Sequence, residues 1–260
     1  MKDGHVHTPY CPHGTNDTFD DYVKKAIEVG LDEISFTEHF PLPEGFKDPA
    51  PDDDSSIKLN QIEDYLKDVN DIKEKYKDKI KINVGAEVDY IEGYEEGIKS
   101  LLDQYGKNLE DSVLSVHMIK IKDQYYCMDF SGEEFDKIVG LLGSVEEVYT
   151  LYYETLIKAV NSDLGKYKPK RIGHLNLVRK YNKKHPYDYS KNKKLEELVK
   201  LISEKGYELD YNVAGLFKED CGETYISGYL AELVKKYNIK VVLGSDSHSA
   251  KYIDKYKVNI

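Results

Sequence analysis

Gly4-His5-Val6-His7-Thr8-Pro9-Tyr10-Cys11-Pro12-His13-Gly14 is the stretch from which the rest of the chain is best read. His5 and His7 are two residues apart, so a strand over residues 4–8 turns both imidazoles to one face. Pro9 and Pro12 break that strand and let His13 fold back over its end. Neutral imidazoles converging from two directions make part of a metal site. Cys11 lies between two of them and reads as a small buried residue rather than a ligand. A purification tag is a poor match, because tag histidines run together and these are spaced within apolar sequence.

Outward from this stretch, strand-like and helix-like segments alternate. Residues 18–29 read as a helix, with Thr18 and Asp21 spaced as a capping box and Gly30 as its stop. Residues 33–37 suit a strand ending at Glu38-His39, and 81–88 a strand ending near Glu87. Residues 112–116 lead to His117, 171–175 contain His174, 207–212 form a further strand, and 240–244 run into Asp246 and His248. Helices are expected at 58–76, 94–105, 191–205 and 224–237, and after Ser131 and Ser144, each of which has a glutamate three residues on. Seven strands with helices between most of them imply a parallel sheet closed, or nearly closed, into a barrel, with residues 1–260 forming one domain. Two loops stand out. Residues 40–57, with Pro41, Pro43, Pro49, Pro51 and Asp52 to Asp54, read as a lid or solvated excursion; residues 179–194 are dense in lysine.

The composition narrows the function. A chain that is 40% hydrophobic and 33% charged fits a soluble globular protein. No apolar run approaches the ~20 residues of a membrane span, and no secretory leader is visible. A net charge of −11 argues against nucleic acid or an anionic membrane as partner. Cys11, Cys127 and Cys221, odd in number and far apart, point to free thiols in a reducing cytoplasm.

Seven of the eight histidines fall on strands or just past them, and only His185 sits in an open loop. In a parallel barrel all C-terminal strand ends meet at one mouth. There His5, His7, His13, His39, Glu87, His117, His174, Asp246 and His248 would converge, too many donors for one tetrahedral ion. The set points to two or three divalent ions, and imidazole with carboxylate suits Zn, Mn or Fe.

The sequence resembles the PHP (polymerase and histidinol phosphatase) superfamily. The matching motifs are His5-Val-His7, Thr37-Glu38-His39, Gly85-Ala-Glu87, Ser115-Val-His117, Gly173-His174 and Gly244-Ser-Asp246-Ser-His248. They follow one another in order over nearly the whole chain. The resemblance implies a distorted (β/α)7 TIM-like barrel with a trinuclear centre. Carried over by position, His5, His7, Glu87 and Asp246 would hold one ion. Glu87 would bridge to a second, with His117 and His174, and His13, His39 and His248 would hold the third. Within the superfamily the chain looks most like the histidinol-phosphate phosphatase branch, on His7-Thr-Pro-Tyr-Cys-Pro-His13-Gly, Gly173-His-Leu-Asn-Leu-Val-Arg179-Lys-Tyr and Asn212-Val-Ala-Gly-Leu-Phe-Lys218. That implies hydrolysis of a small phosphate monoester, L-histidinol phosphate, by a metal-activated hydroxide. Only 12 residues follow His248, fewer than a full closing helix needs.

Further roles are expected around this centre. Arg179, one of only two arginines, is the candidate phosphate clamp, with Lys218 as a second cation. Arg171, at the start of a strand, reads as structural. Asp246 or His248 would protonate the leaving alkoxide, and Glu38 or an acid of the 40–57 loop would receive the substrate's amine. Two rival readings remain. One is a PHP phosphoesterase of other specificity, such as a protein-tyrosine phosphatase; the other is a non-catalytic metal-binding protein. Oligomeric state is not encoded in any of these features.

Overall fold

A computed structural model describes residues 1–254. Its first strand, β1 (Lys2–Val6), pairs in parallel with β2 (Glu33–Phe36), and β2 with β3 (Lys81–Val84). The expected strand 81–88 is broken at Gly85-Ala86, and its second half is β4 (Glu87–Asp89). A Cβ at Gly85 would lie 1.9 Å from the carbonyl oxygen of Asp111, so only glycine allows the chain to cross there. β4 starts a second parallel sheet, running through β5 (Val113–Ser115), β8 (Arg171–Ile172) and β9 (Glu208–Asn212) to β10 (Val241–Gly244).

Parallel bridges His39–Glu87 and Val6–Ser247 join the two sheets at both edges. His7 N–H donates to Ser247 O at 3.0 Å and Asp246 N–H to His5 O at 2.8 Å. With β3 and β4 counted as one kinked strand, the ring has seven positions, as expected from the sequence.

Between β5 and β8 lies an element the sequence reading missed. It is an antiparallel hairpin of β6 (Met118–Ile121) and β7 (Gln124–Cys127). Its two-residue turn takes Lys122 into the left-handed region, φ 56°, and no glycine advertises it.

The helices cover the ring: α1 (Phe19–Glu28), α2 (Ile62–Tyr76), α3 (Glu95–Tyr105), α4 (Gly132–Leu142), α5 (Val145–Asn161), α6 (Lys193–Glu204) and α7 (Gly228–Lys236). The Thr18–Asp21 capping box forms, and Ser131 and Ser144 cap through the N–H groups of Glu134 and Glu147. One cluster of buried side chains runs from Val6 to Ile253, joining strands to helices. No described helix is long and apolar enough to cross a membrane. Among the described residues the segment after His248 forms a turn at Ala250–Tyr252 beside α1, and the expectation that the tail is too short for a closing helix falls partly on residues 255–260, which lie outside the described residues.

Candidate metal centre

Each strand delivers its chemistry just where it ends. His5 is on β1 and His7 one residue past it, both fully buried. His39, His117 and His174 follow β2, β5 and β8, and Asp246 and His248 follow β10. The glycines of two motifs permit these approaches. A Cβ at Gly173 would meet Ser115 Oγ at 2.1 Å, and one at Gly244 would meet Asp210 Oδ1 at 2.1 Å. Asp246 has φ 52°, a strained conformation for a non-glycine residue, held by its N–H bond to His5 O.

Glu87 is the hub, 1% exposed. Its Oε2 lies 3.2 Å from His39 Nδ1, 3.4 Å from His5 Nε2 and 3.6 Å from His7 Nε2. Its Oε1 lies 2.9 Å from His174 Nε2 and 3.6 Å from His117 Nε2, and accepts from Ser115 Oγ at 2.6 Å. Asp246 Oδ1 stands 3.1 Å from His7 Nε2 and 3.4 Å from His248 Nε2. The His13 ring lies 5.0 Å from that of His248 and 5.2 Å from that of His39. All nine residues are therefore gathered at one end of the ring. Two clusters, His5–His7–Glu87 and Glu87–His117–His174, bring their donor atoms within 4.8 Å of one another.

Carboxylates behind the rings orient them. His5 Nδ1 meets Asp210 Oδ2 at 2.7 Å, His117 Nδ1 meets Asp89 Oδ1 at 2.7 Å, and His7 Nδ1 meets Glu38 Oε1 at 3.1 Å. Each contact leaves Nε2 facing the centre. Burial opposes protonation of these rings, but the carboxylates outweigh it. Hydrogen bonds accepted by Asp246 and Glu38 carry His7 up to about 9, and the fields of Asp89 and Glu87 carry His117 up to about 10. The opposite holds for His248, where burial and the His7 field lower the ring to about 4.

The residues fit a cation. Negative charge concentrates around Glu87 and Asp246, both held well below the usual carboxylate range by His5 despite burial. His5 Nε2 and both nitrogens of His39 are buried with no hydrogen-bond partner. The Nε2 atoms of His117 and His174 face one another at 3.1 Å.

A cavity of about 400 Å³ opens above the centre, and Asp54, Phe130, Lys180, Lys218 and Tyr225 are among its walls. Lys218 is therefore where the sequence suggested. Arg179 is not: it does not line the cavity. Its Nε donates to Glu223, and its guanidinium stacks 4.3 Å from the Tyr189 ring centre. The next residue, Lys180, faces the cavity instead, its Nζ 2.9 Å from Asp129 Oδ2. Glu38 also departs from its expected role as amine acceptor. It is 1% exposed and occupied by His7, Thr8 and the His39 N–H, whereas Asp54 of the 40–57 loop does reach the cavity. His185 pairs with Asp136 at 2.7 Å, away from the centre, and Arg171 is buried as a structural residue.

Sequence reasoning missed Asp89, Asp129, Lys180 and Asp210. For two of them a signal existed: Asp89 lies two residues after Glu87, and Asp210 two before Asn212, the spacing that shares a strand face.

Known proteins resemble this chain over nearly its whole length. Residues 3–214 match the PHP domain family. A histidinol-phosphatase of Bacillus subtilis is 42% identical over 253 residues, covering 96% of this chain and 94% of that one. A Listeria monocytogenes structure, provisionally assigned as a histidinol phosphatase, superposes with a TM-score of 0.93 at 37% identity over 97% of both chains. A histidinol phosphate phosphatase of Lactococcus lactis, solved with Zn, L-histidinol and phosphate, superposes with a TM-score of 0.72 at 25% identity, over 98% of this chain and 90% of that one. The chain belongs to the PHP domain family, in its histidinol-phosphatase branch.

Proposed function

We propose that this chain is a metal-dependent phosphoric monoester hydrolase that converts L-histidinol phosphate to L-histidinol and phosphate in histidine biosynthesis. The observation that carries the reading is the convergence of five imidazoles on Glu87 beneath a cavity, in a chain 42% identical to a histidinol-phosphatase. His5, His7, Glu87 and Asp246 are assigned to one ion, Glu87, His117 and His174 to a second, and His13, His39 and His248 to a third. Zn is favoured by the Lactococcus relative, with Mn and Fe suited to the same donors. Bound there, the ions supply Lewis acidity for the phosphoryl oxygens and acidify water.

The chain's own residues do the rest. Lys180 and Lys218 are the cationic side chains on the cavity wall, and they take the phosphate role expected of Arg179. The Asp246 carboxylate, held ionised, accepts a proton at Oδ1 from the attacking water and returns it, with His248 3.4 Å away, to the ester oxygen that leaves. Asp54 faces the cavity and receives the substrate's ammonium. A small charged metabolite and three free thiols fit the cytoplasm, and residues 1–260 act as one domain.

The test is phosphate release from histidinol phosphate, with added Zn or Mn and then with chelator. Preference for phosphotyrosine would move the assignment to another PHP specificity. Metal binding without turnover of either ester would make the chain a non-catalytic metal protein.

A further inference from the structure

The thiol of Cys11 stands beside the residues assigned to the third ion but belongs to none of the ligand sets above. It is 7% exposed, and its Sγ lies 3.1 Å from His248 Nδ1. Donor atoms of His7, Cys11, His39 and His248 all lie within 4.8 Å of one another, a third cluster beside the two already described. His39 points into this cluster, is itself only 7% exposed, and has no hydrogen-bond partner on either ring nitrogen. His7 is committed elsewhere. Its Nδ1 is taken by Glu38, and its Nε2 stands 3.1 Å from Asp246 and 3.6 Å from Glu87. Cys11, His39 and His248 are what remains.

The turn holds the thiol in place. Cys11 N–H donates to Thr8 O at 3.0 Å and Gly14 N–H to Cys11 O at 3.0 Å. A Cβ at Gly14 would lie 3.2 Å from both the Cβ and the carbonyl oxygen of Cys11, so glycine lets the turn close tightly on Cys11. The other two thiols have different neighbours: Cys127 Sγ lies 3.5 Å from Asp129 Oδ1, and Cys221 Sγ 3.6 Å from Glu223 O.

We propose that Cys11 is a further, sulfur ligand to the cation assigned to His13, His39 and His248, which makes this one position of the centre thiolate-bound. The inference rests on the metal-centre reading of the preceding section. On binding, the S–H bond breaks, its proton leaves to solvent, and the sulfur's electron pair joins the cation. A sulfur donor biases this position toward Zn, Fe(II) or Co(II) and away from Mn and Mg, while the two all-N/O positions keep no such preference.

X-ray absorption at the zinc edge of the zinc-loaded full-length protein tests this without any substitution. The expected result is a sulfur shell at ~2.3 Å beside nitrogen and oxygen at ~2.0–2.2 Å. Retained zinc with nitrogen and oxygen neighbours alone would overturn the sulfur ligand and leave the metal centre standing. A protein that retains no zinc would overturn both. The cobalt-loaded protein gives the residue assignment. A near-ultraviolet thiolate-to-cobalt absorption should appear in the wild type and in Cys221→Ser and vanish in Cys11→Ser, whose most weakly held ion should bind about 10–100-fold less tightly. An absorption that survives Cys11→Ser would overturn the assignment.

Discussion

Both ends of the barrel carry networks of charged and polar side chains, yet they are built on opposite rules. At the base, Arg171 Nη2 donates to Gly4 O at 2.7 Å and Nη1 meets Asp111 at 3.1 Å. Asp111 also holds Lys2 at 2.7 Å and accepts from Ser35 Oγ at 2.5 Å, and Asn83 Nδ2 donates to Ser35 Oγ at 3.0 Å and Glu33 at 2.8 Å. Charge there closes on itself, and among the described side chains of this network Arg171 Nε alone is buried without a partner. At the mouth, carboxylates gather with imidazoles, and there His5 Nε2 and both nitrogens of His39 are buried with no hydrogen-bond partner. Burial does not separate structure from function here. The separation lies in whether the hydrogen-bond inventory closes within the protein.

The sharpest way to break this contrast is Glu87→Gln. It removes the mouth's hub, and turnover should fall roughly 10²–10⁴-fold, the several kcal/mol that metal-supported phosphoryl transfer supplies. Unchanged phosphate release by this variant would mean the hub is merely structural. At the base the consequence reverses. Arg171→Met leaves Asp111 to Lys2 and Ser35 and the Gly4 carbonyl without its donor, so urea unfolding should show a loss of about 1–3 kcal/mol while activity per folded molecule holds.

Asp3 links the two ends, accepting from Ser245 N–H at 3.0 Å and His5 N–H at 3.2 Å. Burial lifts its carboxyl to about 6 against those hydrogen bonds. A raised folded-state value means its contribution is complete below the ordinary 3.8 and lost as pH rises through 6. Asp3→Asn should therefore gain about 2 kcal/mol relative to wild type between pH 4 and 7, measured by unfolding in chelator. A constant difference across that range would show that Asp3 ionises freely.

Asp89→Asn should weaken metal binding about 10–100-fold by releasing the His117 ring, with little change in melting. A titration with zinc reads this directly. Smallest of all, Lys180→Ala should raise KM about tenfold, whereas Arg179→Ala should leave it within about threefold. The reverse order would return the phosphate clamp to Arg179.

The ligands were legible because strand periodicity and strand ends locate them, and those are local properties of sequence. His5, His39, His117 and Asp246 needed no knowledge of what packs on what. The Arg179–Lys180 pair shows where this stops. Both sit in the single short turn Leu177–Tyr181, and five residues do not fix which neighbour faces inward. Packing of Arg179 on Tyr189 settles that, ten residues later in the chain. Asp129 and Lys180 meet across 51 residues through the hairpin that precedes Asp129, and a hairpin turned by Lys122-Asp123 leaves no glycine to announce it. The Gly85 break was likewise invisible, since it is dictated by the Asp111 carbonyl in the bend before β5.

The bridge between Val6 and Ser247 also sets a clock. A ribosome adding roughly 5–20 residues per second needs on the order of ten seconds to a minute to travel from one to the other. Throughout that time β1 is an open edge bearing two imidazoles with neither Asp246 nor His248 to complete them. On the proposed ligand sets, an ion taken up early by Gly4–Gly14 would be held by only a fraction of its donors and would exchange readily. The choice of metal would then fall to the finished ring rather than to whichever ion the nascent chain meets first.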